Sequence, residues 1–132
     1  VLFRSVKRKS GHIINIGSTA GHEVYPAGNI YAATKFAVKA ISQSTRLDVL
    51  DKGIKVTSVD PGMVETEFSL IRFRGDKERA KNVYKGLKPL TPKDVAEAVL
   101  FSATRPKEVN INQIILTPLA QASSTQVLRK AK

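Results

Sequence analysis

The stretches HIINIG at residues 12–17 and IKVTSV at residues 54–59 determine the fold that this sequence predicts. The first is a short apolar run that a glycine ends, and the second alternates and is rich in β-branched residues, so both are typical of strands. Residues 30–50 lie between them with small and apolar side chains at helical spacing, and Gly53 follows as a helix stop. This strand–helix–strand order predicts two parallel strands joined by a right-handed crossover.

The rest of the chain continues the alternation of helices and strands. Residues 76–84 are polar and helix-like, and Thr91 followed by a proline predicts the start of a helix that runs to about residue 104. Residues 111–117 (INQIILT) predict a third strand, whereas the tail from Pro118 onward is polar and has no predicted structure. We therefore expect an α/β fold built on a parallel sheet.

Three segments of different chemistry fall at one edge of this predicted sheet. Ser18 follows the first strand directly, Pro61 and Gly62 follow the second strand, and Tyr31 opens the helix between them. Ligands of open parallel sheets bind beyond the carboxyl ends of the strands. We therefore expect these segments to meet at a ligand-binding edge.

The residues Tyr31 and Lys35 are four positions apart, which places both side chains on one face of a helix. An ammonium group favours the phenolate form of a nearby tyrosine, and this makes the phenol a usable acid or base. Ser18 would supply a hydroxyl that holds a substrate oxygen. The three residues together predict a proton-transfer site for a reaction between an alcohol and a carbonyl.

Each of these residues also has a purely structural interpretation. Ser18 could cap a loop, Tyr31 could pack with a solvated hydroxyl, and Lys35 could be a solvated helix residue. The same Tyr-x-x-x-Lys spacing recurs at Tyr84 and Lys88, where a glycine inside the segment and a proline after it make a helix doubtful. The spacing alone is therefore weak evidence, and the case for the first segment depends on its surroundings.

The composition is that of one soluble globular domain of modest size, with 132 residues, 42% hydrophobic and 25% charged. The absence of cysteine excludes disulfides and thiolate chemistry, and no apolar run is long enough for a transmembrane helix. Two isolated histidines make a metal site unexpected; we interpret His22 as an exposed loop residue and Asn15 as a structural polar residue bonded to backbone. The net charge of +11 suggests a nucleic-acid-binding domain as a remote alternative, but the cations are scattered and aromatics are only 6%.

Three segments resemble one known family. Residues 13–21 (IINIGSTAG), 31–35 (YAATK) and 60–66 (DPGMVET) are similar to the carboxy-terminal half of the short-chain dehydrogenase/reductase family. Within that family, residues 67–76 and 109–112 are similar to the NADP-dependent serine / 3-hydroxy acid dehydrogenase group. The resemblance implies an α/β fold that is the carboxy-terminal half of a Rossmann-type doubly wound parallel sheet.

The resemblance also implies roles for individual residues. Tyr31 would exchange a proton with the substrate, Lys35 would stabilise its phenolate and bond the nicotinamide ribose, and Ser18 would orient the substrate oxygen. The segment after the second strand would bind the nicotinamide end of the cofactor, with the Val64 backbone and the Thr66 hydroxyl near the carboxamide. The cofactor-binding residues implied in this way are Tyr31, Lys35, Pro61, Gly62, Met63, Val64 and Thr66.

The implied activity is the NADP-linked interconversion of a secondary alcohol and a carbonyl, on a small hydroxy acid, with NAD left open as the cofactor. Arg72, with Arg74 nearby, follows the cofactor segment and could hold the acid's carboxylate as a bidentate pair, the alternative being a solvated basic loop. We expect a homodimer or homotetramer of the full-length protein through the 30–50 helix and the 111–117 strand, and a cytoplasmic location. The partner is a small-molecule alcohol or carbonyl, with no nucleic acid, membrane or metal.

Two elements of the family are absent, namely a glycine-rich turn after a first strand and an Asn-Asn-Ala-Gly segment. We therefore expect a truncated chain with an open apolar sheet edge, poor dinucleotide binding and no activity alone. Residues 1–5 (VLFRS) match a translated sequencing-adapter end, so we expect them to be a non-native leader and residues 6–132 to be the partial domain. The alternative function is a non-catalytic binding protein of the same fold.

Overall fold

The computed structural model describes residues 2–130. Within them the chain forms three parallel strands and five α-helices. Short 3₁₀ turns follow β1 and α2, at Thr19–Gly21 and Leu50–Lys52. The helices and strands are α1 (Leu2–Arg8), β1 (Gly11–Ile16), α2 (Asn29–Asp48), β2 (Ile54–Pro61), α3 (Phe68–Arg72), α4 (Lys77–Tyr84), α5 (Pro92–Ala103) and β3 (Gln113–Leu116).

The sheet has the strand order β1-β2-β3, and both pairings are parallel. β1 pairs with β2 from Gly11 opposite Ile54 to Ile16 opposite Val59. The parallel sheet and the α/β class predicted from the sequence are confirmed. Among the described residues β1 forms one edge of this sheet, and its side chains are only half-buried up to Asn15.

The central strand β2 changes character along its length. At its start Ile54 and Val56 are buried with Val49, and partly buried Val6 and Ile13 pack against them. Its carboxyl end instead buries polar side chains, including those of Ser58 and Asp60. The apolar start anchors the sheet, and the polar end is the part that faces the predicted ligand-binding edge.

The ends of the predicted elements follow local chemistry. Gly53 has a φ of 65° and ends the 3₁₀ turn Leu50–Lys52, whereas α2 itself ends at Asp48, two residues before the predicted end at residue 50. Thr91 and Asp94 form a reciprocal capping box at the start of α5, with proline in its first turn. The predicted third strand begins two residues late, because the side-chain oxygen of Asn110 accepts the Val56 N–H at 2.8 Å in place of a strand partner.

The amino-terminal boundary predicted from the sequence stays a prediction. Residues 2–5 lie within α1, where the Ser5 carbonyl accepts the Ser10 N–H at 3.2 Å. The predicted leader includes Val1 and the predicted domain extends to Lys132, and these two positions lie outside the described residues.

The tail from Pro118 is ordered, although its sequence predicts no structure. It turns back on itself, with the Leu128 N–H donated to the Ala120 carbonyl at 2.8 Å. The Lys130 N–H then bonds the Gly86 carbonyl at 2.8 Å, which joins the tail to the segment after α4.

Several apolar side chains of α2, including Ile30, remain exposed to solvent. No helix within residues 2–130 is long and apolar enough to cross a membrane.

Candidate active site

A cleft of about 620 Å³ opens at the carboxyl edge of the sheet. Its walls come from the segments that follow β1 and β2, from the start of α2, from α3, from the end of α4 and from the tail. It brings together all the site residues predicted from the sequence, which are Ser18, Tyr31, Lys35, Pro61, Gly62, Met63, Val64, Thr66 and Arg72. Arg74 is not among the lining residues.

Ser18 is buried directly after β1 and caps the 3₁₀ turn that follows. Its Oγ accepts the Ala20 N–H at 3.1 Å, which leaves the hydroxyl proton free for another acceptor. The structural interpretation of Ser18 as a loop cap is therefore confirmed, and its role as a donor to a substrate stays a prediction.

Two glycines allow the close approaches that place Ser18. A Cβ at Gly17 would lie within 3 Å of the buried Asp60 carboxylate, and a Cβ at Gly21 would lie 2.7 Å from the Lys35 carbonyl oxygen. Glycine at both positions lets the turn after β1 pack directly on β2 and α2. The turn that carries Ser18 is thereby brought next to the helix that carries Lys35.

Tyr31 and Lys35 lie on one face of α2, as the spacing predicts. The Lys35 Nζ is 5.7 Å from the centroid of the Tyr31 ring and donates to the Ile16 carbonyl at 3.1 Å. The Tyr31 ring also contacts the Phe68 ring, with centroids 5.4 Å apart. No described residue forms a hydrogen bond with the Tyr31 hydroxyl, so the phenol is available to a molecule in the cleft.

The segment after β2 is held by hydrogen bonds from three directions. The Gly62 N–H bonds the Leu116 carbonyl at 2.8 Å, and Leu90 pairs with Met63 and Glu65, with both N···O distances at 2.9 Å. The Thr66 Oγ1 accepts the Phe68 N–H at 3.2 Å. Within residues 2–130 the Val64 N–H has no acceptor, which leaves one backbone donor of this segment free.

Arg72 ends α3 and is exposed at the cleft wall. Its guanidinium carbon lies 5.9 Å from the Tyr25 ring centroid and 5.7 Å from the Phe73 ring centroid. No carboxylate of the described residues pairs with it, so the guanidinium is free to bind an acid. Stacking between two rings would hold its plane while leaving its N–H donors available.

Sequence reasoning missed two residues of the cleft, Tyr84 and Gln121. Helix α4 ends at Tyr84 and Gly86 has a φ of 81°, so the doubt about a helix across the second Tyr-x-x-x-Lys segment is confirmed. The Tyr84 hydroxyl nevertheless donates to the Val64 carbonyl at 2.8 Å. Gln121 lies in the tail, where no sequence signal marks it, and its Oε1 accepts the Met63 N–H at 2.8 Å.

The interpretation of His22 as an exposed loop residue is wrong. Its side chain is only 20% exposed, and its Nε2 is 2.7 Å from the Oδ2 of Asp60, whose side chain is nearly inaccessible. Ser58 and Gln113 also donate to this carboxylate. His22 is covered because Gly17 and Gly21 let the loop after β1 fold over the end of β2 instead of extending into solvent.

Asn15 is a structural residue, as expected, but its partner is a side chain rather than backbone. Its Nδ2 donates to the Ser42 Oγ at 2.9 Å and so joins β1 to α2.

Among residues 2–130 no group of three or more His, Cys, Asp or Glu side chains is placed to hold a metal ion.

Comparison with known proteins identifies the family of this chain. Residues 1–75 match the short chain dehydrogenase family. An NADP-dependent 3-hydroxy acid dehydrogenase of Schizosaccharomyces pombe is 45% identical over 123 residues, which are 93% of this chain and 48% of that protein. A serine 3-dehydrogenase of Agrobacterium fabrum is 39% identical over 131 residues, covering 98% of this chain and 53% of that protein.

Solved structures show the same relationship. The closed form of a serine dehydrogenase complexed with NADP+ superimposes with a TM-score of 0.92 at 43% identity, covering 99% of this chain and 53% of that one. The chain spans about half the length of the curated relatives it matches. The matching profile, the shared parallel fold and the relatives at this identity establish that the chain belongs to the short-chain dehydrogenase family.

Proposed function

We propose that this chain is the catalytic half of an NADP-linked oxidoreductase that interconverts a secondary alcohol and a carbonyl, acting on a small hydroxy acid. The observation that carries the proposal is the convergence of Ser18, Tyr31 and Lys35 in one cleft with the segment after β2. The names of the relatives, an NADP-dependent 3-hydroxy acid dehydrogenase and a serine 3-dehydrogenase, support the cofactor and the substrate class.

The proton chemistry is assigned to Tyr31. Its hydroxyl, unbonded within the described residues, would give its proton to a carbonyl oxygen or take one from an alcohol. The Lys35 ammonium, held by the Ile16 carbonyl, would stabilise the phenolate that remains. The free proton of the Ser18 hydroxyl would hold the same substrate oxygen.

The residues of the cleft fit the nicotinamide end of a dinucleotide. The unpaired Val64 N–H is a donor suited to the carboxamide oxygen, and the Lys35 ammonium would bond the nicotinamide ribose. When bound, the nicotinamide supplies or accepts the hydride. The chain offers Pro61, Gly62, Met63 and Thr66 as the other contacts in that part of the cleft.

The substrate's acid group is assigned to Arg72. Its guanidinium is exposed in the cleft wall, free of carboxylates of the described residues, and can bind a carboxylate in bidentate fashion.

The test is turnover by the full-length protein that contains this chain. We expect it to oxidise a small 3-hydroxy acid such as serine with NADP+, and we expect Tyr31→Phe to keep NADP+ binding while losing turnover. NADP+ binding without turnover of any hydroxy acid by the wild type would favour the non-catalytic alternative. Arg72→Lys should raise KM for hydroxy acids while leaving KM for an alcohol that lacks a carboxylate unchanged.

The assembly is proposed on the exposed apolar side chains of α2. Ile30 is 75% exposed and Ile41 59%, and their separation of eleven positions places them on one face of α2. Burying this face against a second copy would give an isologous helix contact. A dimeric or tetrameric mass by light scattering that falls on Ile41→Lys is the expected result, and an unchanged mass would assign the contact elsewhere. The cytoplasmic location stays a prediction.

A further inference from the structure

We propose that Tyr84 and Gln121 are positioning residues that fix the backbone after β2 so that the Val64 N–H points into the cleft as a ligand donor. This inference rests on the proposed function, since it concerns the site assigned there to the nicotinamide end. Neither residue need touch the reacting atoms, and each acts through the peptide group that it holds.

Gln121 fixes the peptide group before Met63. Its side chain is buried in the tail, its Oε1 accepts the Met63 N–H at 2.8 Å, and its Nε2 donates to the Ser123 carbonyl at 3.2 Å. Both ends of the amide are therefore used, which sets its orientation. Gly62 makes room for it, because a Cβ there would lie 2.3 Å from Oε1.

Tyr84 fixes the peptide group after Val64. Its hydroxyl proton goes to the Val64 carbonyl at 2.8 Å, so the buried Ser69 hydroxyl, also at 2.8 Å, is the donor to the phenol oxygen. This chain of two hydrogen bonds joins the ends of α3 and α4 to the segment after β2. The Glu65 N–H of the same peptide group bonds the Leu90 carbonyl at 2.9 Å.

The peptide group between Met63 and Val64 then has one orientation. Its carbonyl accepts the Leu90 N–H at 2.9 Å, and residues 2–130 contain no cis peptide bond. In a trans peptide the carbonyl and the N–H point in opposite directions, so the Val64 N–H points away from Leu90. Val64 lines the cleft and Leu90 does not, which places the free donor on the cleft side.

The expected effect is on binding of the nicotinamide end and not on the proton step at Tyr31. We would titrate the full-length protein with NADP+ and with 2′-phospho-ADP-ribose, which lacks the nicotinamide. Tyr84→Phe and Gln121→Met should each weaken NADP+ binding by about tenfold, the loss of one well-placed hydrogen bond, and leave 2′-phospho-ADP-ribose binding unchanged.

Two controls separate positioning from general damage. Ser102→Ala removes a buried hydroxyl that donates to the Ala98 carbonyl inside α5 away from the cleft, and it should leave both affinities unchanged. Amide hydrogen exchange reports on the backbone without any ligand, and the Glu65 N–H should exchange faster in Tyr84→Phe than in Ser102→Ala.

The outcomes that oppose the inference are distinct. If the variants bound both ligands equally more weakly, the positioning role would be overturned and the proposed function left intact. The same conclusion would follow if neither the NADP+ affinity nor the exchange rate of the Glu65 N–H changed. A wild-type protein that binds 2′-phospho-ADP-ribose as tightly as NADP+ would overturn this inference, whereas failure of the proposed function would appear as absent turnover.

Discussion

The two Tyr-x-x-x-Lys segments have the same spacing and different structures. In the first, α2 continues through Tyr31 and Lys35 and brings the ammonium to 5.7 Å from the ring centroid. In the second, α4 ends at Tyr84, and the extended Lys85 and left-handed Gly86 lead the chain away before Lys88, which is exposed. A residue spacing places two side chains on one face only where the helix continues between them.

The two phenols also differ in what remains for them to do. The Tyr84 hydroxyl is bonded to the Val64 carbonyl and the Ser69 hydroxyl, so its hydrogen-bonding capacity is used inside the fold. The Tyr31 hydroxyl lies in the same cleft without a partner among the described residues. The unbonded phenol is suited to exchange a proton with a substrate, and the bonded phenol is suited to hold backbone.

The largest expected effect tests this contrast directly. Tyr31→Phe in the full-length protein should lower kcat by about 10³-fold, within the usual range for loss of a general acid or base. Tyr84→Phe should act mainly on KM for NADP+, with kcat changed by less than about tenfold. Steady-state kinetics with saturating hydroxy acid measure both, and equal losses of kcat would remove the distinction between the two phenols.

The second effect concerns the two lysines. Lys35→Met removes the ammonium beside Tyr31 and should lower kcat by about 10²-fold, with the pH profile of kcat shifted to higher pH. Lys88→Met is the matched control, because Lys88 is exposed and has no phenol at its side, and it should stay within about twofold of wild type. A pH profile that is unchanged in Lys35→Met would contradict the role assigned to the ammonium.

The third effect concerns stability of the second segment. Gly86→Ala should destabilise the 132-residue chain by more than the ~1–2 kcal/mol expected for a left-handed alanine, because its Cβ would also lie 2.9 Å from the Lys130 carbonyl. Gly75→Ala is the control: it has a φ of 90° with nothing near its Cβ, so only the backbone cost applies. Urea denaturation compares them, and equal losses would mean that the tail does not press on Gly86.

The smallest expected effect is a pH dependence of the stability of the fold, which arises from His12 in β1, the strand before Ser18. Burial, reinforced by the nearby Lys55 ammonium, lowers the pKa of His12 from its ordinary value of 6.5. The unfolded chain therefore binds the proton more readily, so stability is full above about pH 6.5 and falls as the pH drops through the lowered pKa. The loss between pH 7.5 and 5.5 should be smaller in His12→Gln, and an equal loss would assign it to other groups.

Much of the fold could be predicted because local signals coincided with tertiary structure. The apolar run before Gly17, the β-branched strand from Ile54 and the capping box at Thr91 each specify an element through nearby residues alone. The third strand was predicted too long because a side-chain amide, that of Asn110, replaces a backbone partner, and single-sequence patterns do not report such exchanges.

The site could be predicted only where its residues lie next to strand ends. Ser18, Tyr31 and the segment from Pro61 follow from topology, since parallel strands deliver their ends to one edge. The Gln121 side chain bonds Met63, which lies 58 residues earlier in the sequence. The His22 side chain is half-buried through its contact with Asp60, which lies 38 residues later. Contacts of this kind depend on the folded backbone, and no periodicity or compositional bias in the sequence indicates them.

The tail that closes one wall of the cleft is separate from the elements that carry Ser18, Tyr31 and Lys35. Between Gln121 and Arg129 it reaches the cleft through exposed or half-exposed positions, including Ser124, Thr125 and Val127. Substitutions at these three positions can reshape the wall without entering the core of β2 or α2. A saturation library limited to them would be a compact route to new substrate preferences, with the acid–base residues left as they are.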